Sequence, residues 1–304
     1  MDKVELIEVG PRDGLQNQPQ ILSADDKVHF IDSLVRAGAR RIEIASFVNP
    51  KLVPQMADAE EVTKRVAKRT GLTRIGLVLN ERGLDRALQT DIDEIGALAV
   101  ATDAFGIRNQ KQTSAESVDV AKAVIVQAKA AGRSAQATIS VAFGCPFEGE
   151  VPQERVVNIA AALAEAAPRE IALADTIGAG VPAQVKAMVA AVKVAVGGIP
   201  LRCHFHNTRN TGLANAWAAY EAGVRILDAS MGGIGGCPFA PKATGNIPTE
   251  DLVYLLARSG VSTAYDLDAL IALAPWLADR LGLKSLPALV SRAGAFPPDD
   301  RAMA

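Results

Sequence analysis

Two of the three histidines in the chain are spaced like a pair of metal ligands. They lie in the run Cys203-His204-Phe205-His206, at the end of a strand-like segment. Residues i and i+2 of a strand point to the same face, so both imidazoles can reach one ligand. Histidine is the commonest metal ligand in proteins, and the spacing therefore predicts a metal site. The third histidine, His29, falls in a predicted helix and is expected to be a surface or packing residue.

A charged pair follows the first strand-like segment, Val4–Val9. The pair is Arg12 and Asp13, and a second carboxylate, Glu43, lies in a later segment with isoleucine on both sides. Its side chain points to the opposite face from its neighbours. A carboxylate turned toward an interior needs a cation, and Arg12 is the nearest candidate by strand order. A purely structural ion pair is the alternative interpretation, and it does not exclude a catalytic role for Arg12.

A glycine-rich run follows the last strand-like segment. Four of the five residues Gly232–Gly236 are glycine, and Cys237 comes directly after them. We expect a backbone that is mobile or closely approached by other groups. The run does not match a dinucleotide-binding fingerprint. A lid that brings a thiol over the site is the functional interpretation, and a merely flexible loop is the alternative.

Short strand-like segments alternate with Ala-rich helical segments along the chain. This alternation is typical of a parallel sheet with crossover helices. Eight units predict an α/β fold of the (β/α)8 TIM-barrel class, because a six-stranded doubly wound sheet would leave two units over. The predicted strands are Val4–Val9, Arg41–Ala45, Arg74–Leu79, Glu94–Ala99, Ala135–Val141, Glu170–Ala174, Pro200–Phe205 and Arg225–Ser230.

The segments between these strands have the apolar spacing of helices. We expect helix caps at Ser23, Ser114 and Thr249, and helix ends with positive φ at three glycines, Gly38, Gly132 and Gly223. We predict a single domain in which residues 1–248 form the barrel and residues 249–304 form a helical extension packed on it. The predicted helices are Ser23–Ala37, Ala57–Lys68, Ser114–Ala131, Gln153–Ala166, Pro182–Val194, Ala214–Ala222, Glu250–Arg258 and Tyr265–Leu281.

Barrel topology brings distant polar residues together. Working residues of such barrels lie at the C-terminal ends of the strands, and the first strand neighbours the eighth, which neighbours the seventh. Asp13, His204, His206 and Asn246 then share one sector of the rim. One carboxylate, two imidazoles and an amide oxygen suit Mg²⁺ or Mn²⁺ with two exchangeable positions. The same ligand types also serve in iron oxygenases, so the set alone does not identify the metal.

Composition excludes several classes of protein. The 304 residues have a net charge of −2 and 22% charged residues, which argues against a nucleic-acid partner and against a disordered chain. No apolar run reaches the roughly 18 residues of a membrane span, and no secretory signal is expected at the start. Three cysteines, Cys145, Cys203 and Cys237, do not make a disulfide framework, so we expect a reducing cytoplasm.

Five segments resemble 3-hydroxy-3-methylglutaryl-CoA lyases, members of the DRE-TIM superfamily of barrel metallolyases. The resemblance runs from about residue 4 to about residue 285. The glycine–cysteine loop followed by Thr249–Tyr254 is specific to these lyases, whereas the charged residues and the histidine pair indicate only the superfamily. The segments are Gly10–Asn17, Ser46–Lys51 with Val53–Met56, Gly144–Gly149, Asp175–Gly178 and Gly232–Pro238.

The resemblance implies a divalent-metal lyase that releases acetyl-CoA and acetoacetate. Asp13, His204, His206 and Asn246 would bind the one divalent cation, Mg²⁺ or Mn²⁺. The other catalytic residues that it implies are Arg12, Glu43, Asp175, His204 and Cys237. The residues that it implies for substrate binding are Gln16, Ser46, Thr113 and Thr176.

Carbon–carbon cleavage beside a tertiary alcohol explains why such residues are needed. A cation that chelates the hydroxyl and the carboxylate acidifies the one and orients both. Arg12 would offer a fixed charge where enolate charge develops, with Glu43 holding it in place. The hydroxyl proton has three candidate acceptors: Asp175, His204 and a water on the metal. Cys237 and His204 are the candidates that protonate the enolate carbon.

Two residues depart from the pattern of these lyases. Asn207 stands where an aspartate is frequent, and Ala172 stands where some members have serine. Both departures concern the acyl group more than the reaction type. A larger 3-alkylglutaryl-CoA or citramalyl-CoA is therefore an alternative substrate.

Two other functions remain as alternatives. A Claisen-type synthase would share the metal ligands, and Asn207 is more like that group. A non-catalytic acyl-CoA-binding protein is the third interpretation, and the retention of every candidate ligand in one chain argues against it. The resemblance also implies a homodimer and a role in leucine breakdown.

Overall fold

Eight parallel strands close into a barrel in the part of the chain that the structure describes. The structure is a computed structural model, and it describes residues 2–66, 68, 70–236 and 245–297. Each strand pairs with its sequence neighbours, and β1 pairs with β8, which confirms the predicted TIM barrel. The strands are β1 (Glu5–Glu8), β2 (Arg41–Ser46), β3 (Thr73–Val78), β4 (Glu94–Val100), β5 (Ser134–Ser140), β6 (Ile171–Asp175), β7 (Leu201–Phe205) and β8 (Ile226–Ala229).

Helices surround the barrel and continue beyond its last strand. Among the described residues, no helix is both long and apolar enough to span a membrane. The helices are α1 (Ala24–Arg36), α2 (Ala59–Arg65), α3 (Glu81–Leu88), α4 (Asp103–Gln110), α5 (Ser114–Ala130), α6 (Gln153–Ala164), α7 (Pro182–Val196), α8 (Gly212–Glu221), α9 (Thr249–Arg258), α10 (Leu267–Arg280) and α11 (Val290–Ala293).

Local sequence signals locate most helix ends, with two corrections. Ser23 caps α1 as predicted, and its Oγ accepts from the backbone N–H of Asp26. The predicted cap at Ser114 is wrong by one residue, because Thr113 forms a complete capping box with Glu116. The predicted cap at Thr249 is also wrong by one residue, since Pro248 precedes α9 and the threonine hydroxyl donates elsewhere. Helix α4 is not predicted, and it is short and weakly amphipathic.

An ionic layer fills the barrel near the N-terminal ends of the strands. Arg41 lies 2.6 Å from Glu94 and 2.9 Å from Glu170, and both carboxylates are buried. Barrel interiors are usually filled with branched apolar side chains. Charges buried here require this mutual pairing. The layer closes the floor of the barrel and leaves the C-terminal ends of the strands for a site.

The C-terminal helices contact both a helix of the barrel and the loop that follows β8. Trp276 of α10 packs on His29 of α1, with ring centroids 4.7 Å apart, so that His29 is the expected packing residue. Glu250 of α9 accepts a hydrogen bond from the backbone N–H of Gly232, at 2.9 Å. The C-terminal extension therefore supports the loop that follows β8. The helix ends at Gly38, Gly132 and Gly223 have positive φ, as predicted.

Candidate active site

A cavity opens at the C-terminal ends of the strands. It has a volume of about 140 Å³, and its lining divides into a polar and an apolar part. The polar part is contributed mainly by the segments around β1, β7 and β8, and the apolar part by those around β3 and β4. The polar lining includes Arg12, Asp13, Gln16, Glu43, Thr138, Thr176, Arg202, His204, His206 and Asp228. The apolar lining includes Val48, Leu77, Leu79, Leu98 and Phe105.

Arg12 is fixed between two carboxylates. It lies in the short helical turn Gly10–Gly14 that directly follows β1. Its Nε donates to Glu43 Oε2 at 2.7 Å, its Nη2 also contacts that oxygen, and its Nη1 donates to Asp13 Oδ1 at 2.8 Å. Burial disfavours the charged guanidinium, but the two carboxylates outweigh this effect and raise the pKa of Arg12. The predicted pair with Glu43 forms, and the site holds a permanent cation.

Asp13, His204 and His206 form a compact cluster beside that cation. One ligand atom from each lies within 4.8 Å of the others. The two Nε2 atoms are 3.1 Å apart, and Asp13 Oδ2 lies 4.0 Å from the one on His204 and 3.9 Å from the one on His206. The predicted i and i+2 arrangement on β7 therefore brings both imidazoles to the same carboxylate.

Electrostatics prepares Asp13 and His206 for a cation, whereas for His204 burial opposes the charged form but Asp228 and Asp13 outweigh it and raise the pKa. Burial alone would raise the pKa of Asp13, but Arg12 and the two imidazoles outweigh it and lower the pKa to about 2. Burial, with a further contribution from the imidazole of His204, lowers the pKa of His206 to about 3. At neutral pH the carboxylate is charged and the ring of His206 is neutral with one free lone pair, which is the state in which these groups bind metals.

Asn246 completes the cluster from the far side. Its segment forms an antiparallel bridge with His206, and its Nδ2 donates to Asp13 Oδ2 at 2.8 Å. Its Oδ1 is buried and has no hydrogen-bond partner among the described residues. An orphaned buried oxygen beside two imidazoles and a carboxylate fits a divalent cation that prefers mixed O/N ligands. The four predicted ligands are therefore brought together.

Of the four predicted substrate-binding residues, two line the cavity and two do not. Gln16 and Thr176 are lining residues, and Thr176 Oγ1 also accepts from the backbone N–H of Val141 at 2.9 Å. Ser46 is fully buried at the end of β2, and its Oγ has no partner among the described residues. Thr113 caps α5, so its hydroxyl is already engaged with that helix.

Asp175 lies at the end of β6 and is not among the residues that line the cavity. Its Oδ1 accepts from the backbone N–H of Ala179 at 2.8 Å, and its Oδ2 accepts from Gly180 at 2.9 Å. The carboxylate is fully buried and anchors the loop that follows β6. The geometry gives Asp175 a loop-holding contact, while its catalytic role remains a prediction.

The glycine loop is described only up to Gly236. Gly232, Gly233 and Gly235 all have positive φ, and side chains of the C-terminal segment pack closely on them. A Cβ at Gly235 would lie 2.5 Å from the amide of Asn246. The predicted close approach is therefore confirmed for this part. Cys237 lies outside the described residues, so its predicted place over the site is not described.

Sequence reasoning did not select two charged residues at the centre of the site. Arg202 and Asp228 line the cavity, and Asp228 Oδ2 is 3.1 Å from His204 Nδ1. Strand alternation could have identified Arg202, because it lies two residues before His204 on β7 and shares its face. Asp228 sits in the middle of a short strand, where a charge is unexpected without a function or a partner.

The two departures from the family pattern have local structural explanations. The side chain of Asn207 accepts from the backbone N–H of Gly212 at 3.1 Å and so engages the start of α8. Ala172 pairs in register with Thr138 on one side and Arg202 on the other. Arg202 reaches past it to donate to Thr138 Oγ1 at 3.0 Å.

Comparisons with known proteins extend over the same residues. A profile of the HMGL-like family matches residues 3–276. The chain is 43% identical to (R)-citramalyl-CoA lyase of Chloroflexus aurantiacus, over 100% of this chain and 99% of that protein. It is 41% identical to hydroxymethylglutaryl-CoA lyase YngG of Bacillus subtilis, over 94% and 95%. An HMG-CoA lyase of Acinetobacter baumannii, solved with coenzyme A and 3-methylmalate, superposes with a TM-score of 0.93 at 38% identity, over 98% and 97%.

Proposed function

The chain belongs to the HMGL-like family of carbon–carbon lyases, and from this premise we propose that it cleaves 3-hydroxy-3-methylglutaryl-CoA to acetyl-CoA and acetoacetate. The observation that supports this proposal is the joint presence, in one cavity, of a fixed guanidinium and a metal-ligand cluster. The two groups match the two charges that the reaction develops, on the carbinol oxygen and on the thioester enolate.

We propose that Asp13, His204, His206 and Asn246 hold a divalent cation, Mg²⁺ or Mn²⁺. When bound, such a cation acidifies the tertiary hydroxyl of the substrate and orients it together with the neighbouring carbonyl or carboxylate oxygen. The orphaned Oδ1 of Asn246 and the low pKa of Asp13 support this assignment.

We propose that Arg12 stabilises the enolate that forms when the carbon–carbon bond breaks. The electron pair of that bond passes to the acetyl carbon, and its charge is delocalised onto the thioester oxygen. A guanidinium already held by Glu43 and Asp13 needs little reorganisation to meet this charge. The hydroxyl proton leaves as the ketone forms, with Asp175 or a water at the site as candidate acceptor, because His204 has no free lone pair when its Nε2 binds the cation and its Nδ1 donates to Asp228. Cys237 then protonates the enolate carbon.

Citramalyl-CoA is the second candidate substrate. It is favoured by the 43% identity, over the whole chain, to a protein named (R)-citramalyl-CoA lyase. Citramalyl-CoA lacks one methylene between the carbinol carbon and the carboxylate, so that the same bond cleavage would give pyruvate instead of acetoacetate. The same cluster could chelate the hydroxyl and the carboxylate of either substrate.

The decisive experiment offers both thioesters to the purified protein and measures both products. Acetoacetate release from 3-hydroxy-3-methylglutaryl-CoA at roughly 1–10³ s⁻¹, dependent on Mg²⁺ or Mn²⁺ and abolished by chelator, would support the first proposal. Pyruvate release from citramalyl-CoA at that rate, with acetoacetate orders of magnitude slower, would replace it with the second. Turnover of neither thioester with metal bound would contradict both and leave a larger 3-alkylglutaryl-CoA, a Claisen-type synthase and an acyl-CoA-binding protein as the alternatives.

We also propose the cellular setting that the family resemblance implies. The partner is an acyl-CoA, the compartment is the cytoplasm, the pathway is leucine breakdown, and the protein is a homodimer. Gel filtration with light scattering tests the last of these directly.

A further inference from the structure

We propose that Asp228 and Arg202 act as paired positioning residues that fix the ring and the tautomer of His204, so that its Nε2 keeps a lone pair for the metal. The proposal rests on the proposed function in one respect only, namely that the cluster binds a metal. Neither residue needs to touch substrate for this role.

The first step is the contact between Asp228 and His204. Asp228 Oδ2 lies 3.1 Å from His204 Nδ1, and the side chain of Asp228 is only 5% exposed. An ionised carboxylate can only accept a hydrogen bond. Nδ1 must therefore hold the proton of the neutral ring, which leaves Nε2 as the lone-pair atom. That atom faces Asp13 and His206.

The second step is the contact that orients Asp228. Arg202 Nη1 lies 3.3 Å from Asp228 Oδ1, the oxygen that does not face His204. The guanidinium donates to Thr138 Oγ1, 3.0 Å from Nη2, and its Nε lies 3.4 Å from Glu170 Oε1 as an ion pair without a hydrogen bond. The contact with Asp228 Oδ1 is likewise an ion pair without a hydrogen bond, and a cation at this position favours an oxygen of residue 228 over an amide nitrogen. Arg202 thus determines which atom of the side chain is presented to His204.

The third step is the space that this arrangement needs. Ala172 lies between Thr138 and Arg202 in the sheet register, and its methyl group leaves open the path between them. The side chain of Arg202 is only 4% exposed, so it cannot turn to solvent. The contacts therefore continue from Glu170 in the ionic layer through Arg202 and Asp228 to the imidazole of His204.

The test variant is Asp228→Asn, which keeps the shape and converts one oxygen to an amide nitrogen. Arg202 holds the remaining oxygen, so the introduced NH₂ group faces His204 Nδ1 and donates to it. The ring proton then moves to Nε2, where it blocks the metal. ¹⁵N NMR of the metal-free protein at alkaline pH reads the tautomer, and the chain has only three histidines to assign. We expect a reversed tautomer and a loss of about 10–100-fold in Mn²⁺ affinity.

A second substitution separates positioning from general damage. Adding Arg202→Met to Asp228→Asn frees the amide oxygen to turn to His204, so the original tautomer and much of the Mn²⁺ affinity should return. A merely structural role predicts that the double variant is worse than the single one. Glu94→Gln, which removes a buried carboxylate of the ionic layer without touching Arg202 or a histidine, should leave both readouts unchanged.

Three results would overturn the proposal. One is an Nε2-protonated His204 in the unsubstituted metal-free protein, a measurement that needs no variant to fold. Another is an unchanged tautomer in Asp228→Asn, and the last is a double variant no better than the single one. Since the tautomer is read without metal or substrate, failure of the lyase assay would leave these results interpretable.

Discussion

Arg12 is positioned before any substrate arrives. Two carboxylates from different elements hold the guanidinium, and the Gly10–Gly14 turn places it at the mouth of the barrel. A lysine could supply the charge but not the fork of donors that fits Glu43. Arg12 therefore forms a structural ion pair, and in the proposed mechanism it also supplies a fixed charge to the reaction.

Arg12→Met should lower kcat by at least about 10²–10³-fold, because removing one charge-stabilising donor has cost that much in comparable sites. Arg12→Lys should lose less. Steady-state kinetics with the preferred thioester measures both effects. Arg12→Met also leaves Glu43 without its cation, so Arg12→Met combined with Glu43→Gln should regain stability in urea unfolding without regaining turnover. Turnover within tenfold of the original in Arg12→Met would contradict the assigned role.

Two buried carboxyl groups connect the elements around the site. Glu8, at the end of β1, accepts from the backbone N–H groups of Gly10 and Met231 and from the hydroxyl of Thr249. Glu250 of α9 accepts from the backbone N–H of Gly232. The turn that presents Arg12, the loop after β8 and the first C-terminal helix are thus tied to two side chains. Their protonation should affect the stability of the whole rim.

Stability should fall as pH rises through neutrality because of these two groups. Burial raises the pKa of Glu8 from 4.5 to about 8 and that of Glu250 to about 7. The folded state prefers the protonated forms, so their contribution is fully present below about pH 4.5 and is lost by about pH 8. The slope is at most about 1.4 kcal/mol per pH unit for each group. Urea unfolding between pH 5 and pH 8 measures it.

Glu8→Gln provides the comparison, since a neutral side chain does not titrate. The stability of the original protein minus that of the variant should decline across this pH range. The exposed Glu150→Gln is the control and should run parallel to the original protein. If the free energy of unfolding of Glu8→Gln also ran parallel to that of the original protein, Glu8 would not titrate between pH 5 and pH 8.

The contact between α1 and the C-terminal extension depends on a glycine. Gly38 has a φ of +106°, and a Cβ there would overlap the carbonyl oxygen of Ala264. Gly132, with a φ of +74°, has nothing within 4 Å of the same position. Gly132→Ala should cost only the left-handed backbone, about 1–2 kcal/mol. Gly38→Ala should cost about 1–3 kcal/mol more through the clash, by urea unfolding. Equal losses of stability in the two variants would mean that the C-terminal extension moves aside at no cost.

Closure of the barrel brings the residues of the site together. Asp13 and His204 are far apart in sequence, and they meet because β1 pairs with β8 and β8 pairs with β7. Below these residues, the ionic layer around Arg41 fills the barrel in place of apolar side chains. Arg202 contacts this layer at Glu170 and so connects it with the site at the C-terminal ends of the strands. A cation bound by the four candidate ligands would therefore link the ends of β1 and β7 and the segment of Asn246 in the folded state, and none of them in the unfolded chain.

Divalent cations should stabilise the fold by mass action. At a free Mn²⁺ concentration 100 times its Kd, the gain is about 2.7 kcal/mol, which differential scanning calorimetry should detect as an increase of Tm. His206→Ala should abolish the increase, whereas His29→Ala, at the histidine outside the cluster, should retain it. An equal response in both variants would place the cation elsewhere.

Local patterns in the sequence are enough to predict the barrel, its eight strands and four candidate metal ligands. The alternation of strands and helices, the glycines at helix ends and the i, i+2 histidines are local features of the sequence. Such features can be recognised without knowledge of long-range contacts. Helix caps are harder to predict from the sequence. Thr113 and Ser114 are equally good candidates for the cap of α5 until the backbone conformation is known.

The directions of the side chains depend on tertiary contacts. Asp175 follows a strand end as Asp13 does, yet its oxygens bind the backbone of its own loop. Arg202 and Asp228 meet His204 because three separate elements converge in the barrel interior. Such contacts depend on register, rotamer and the space left by a small neighbour, Ala172, and none of these is encoded in local spacing.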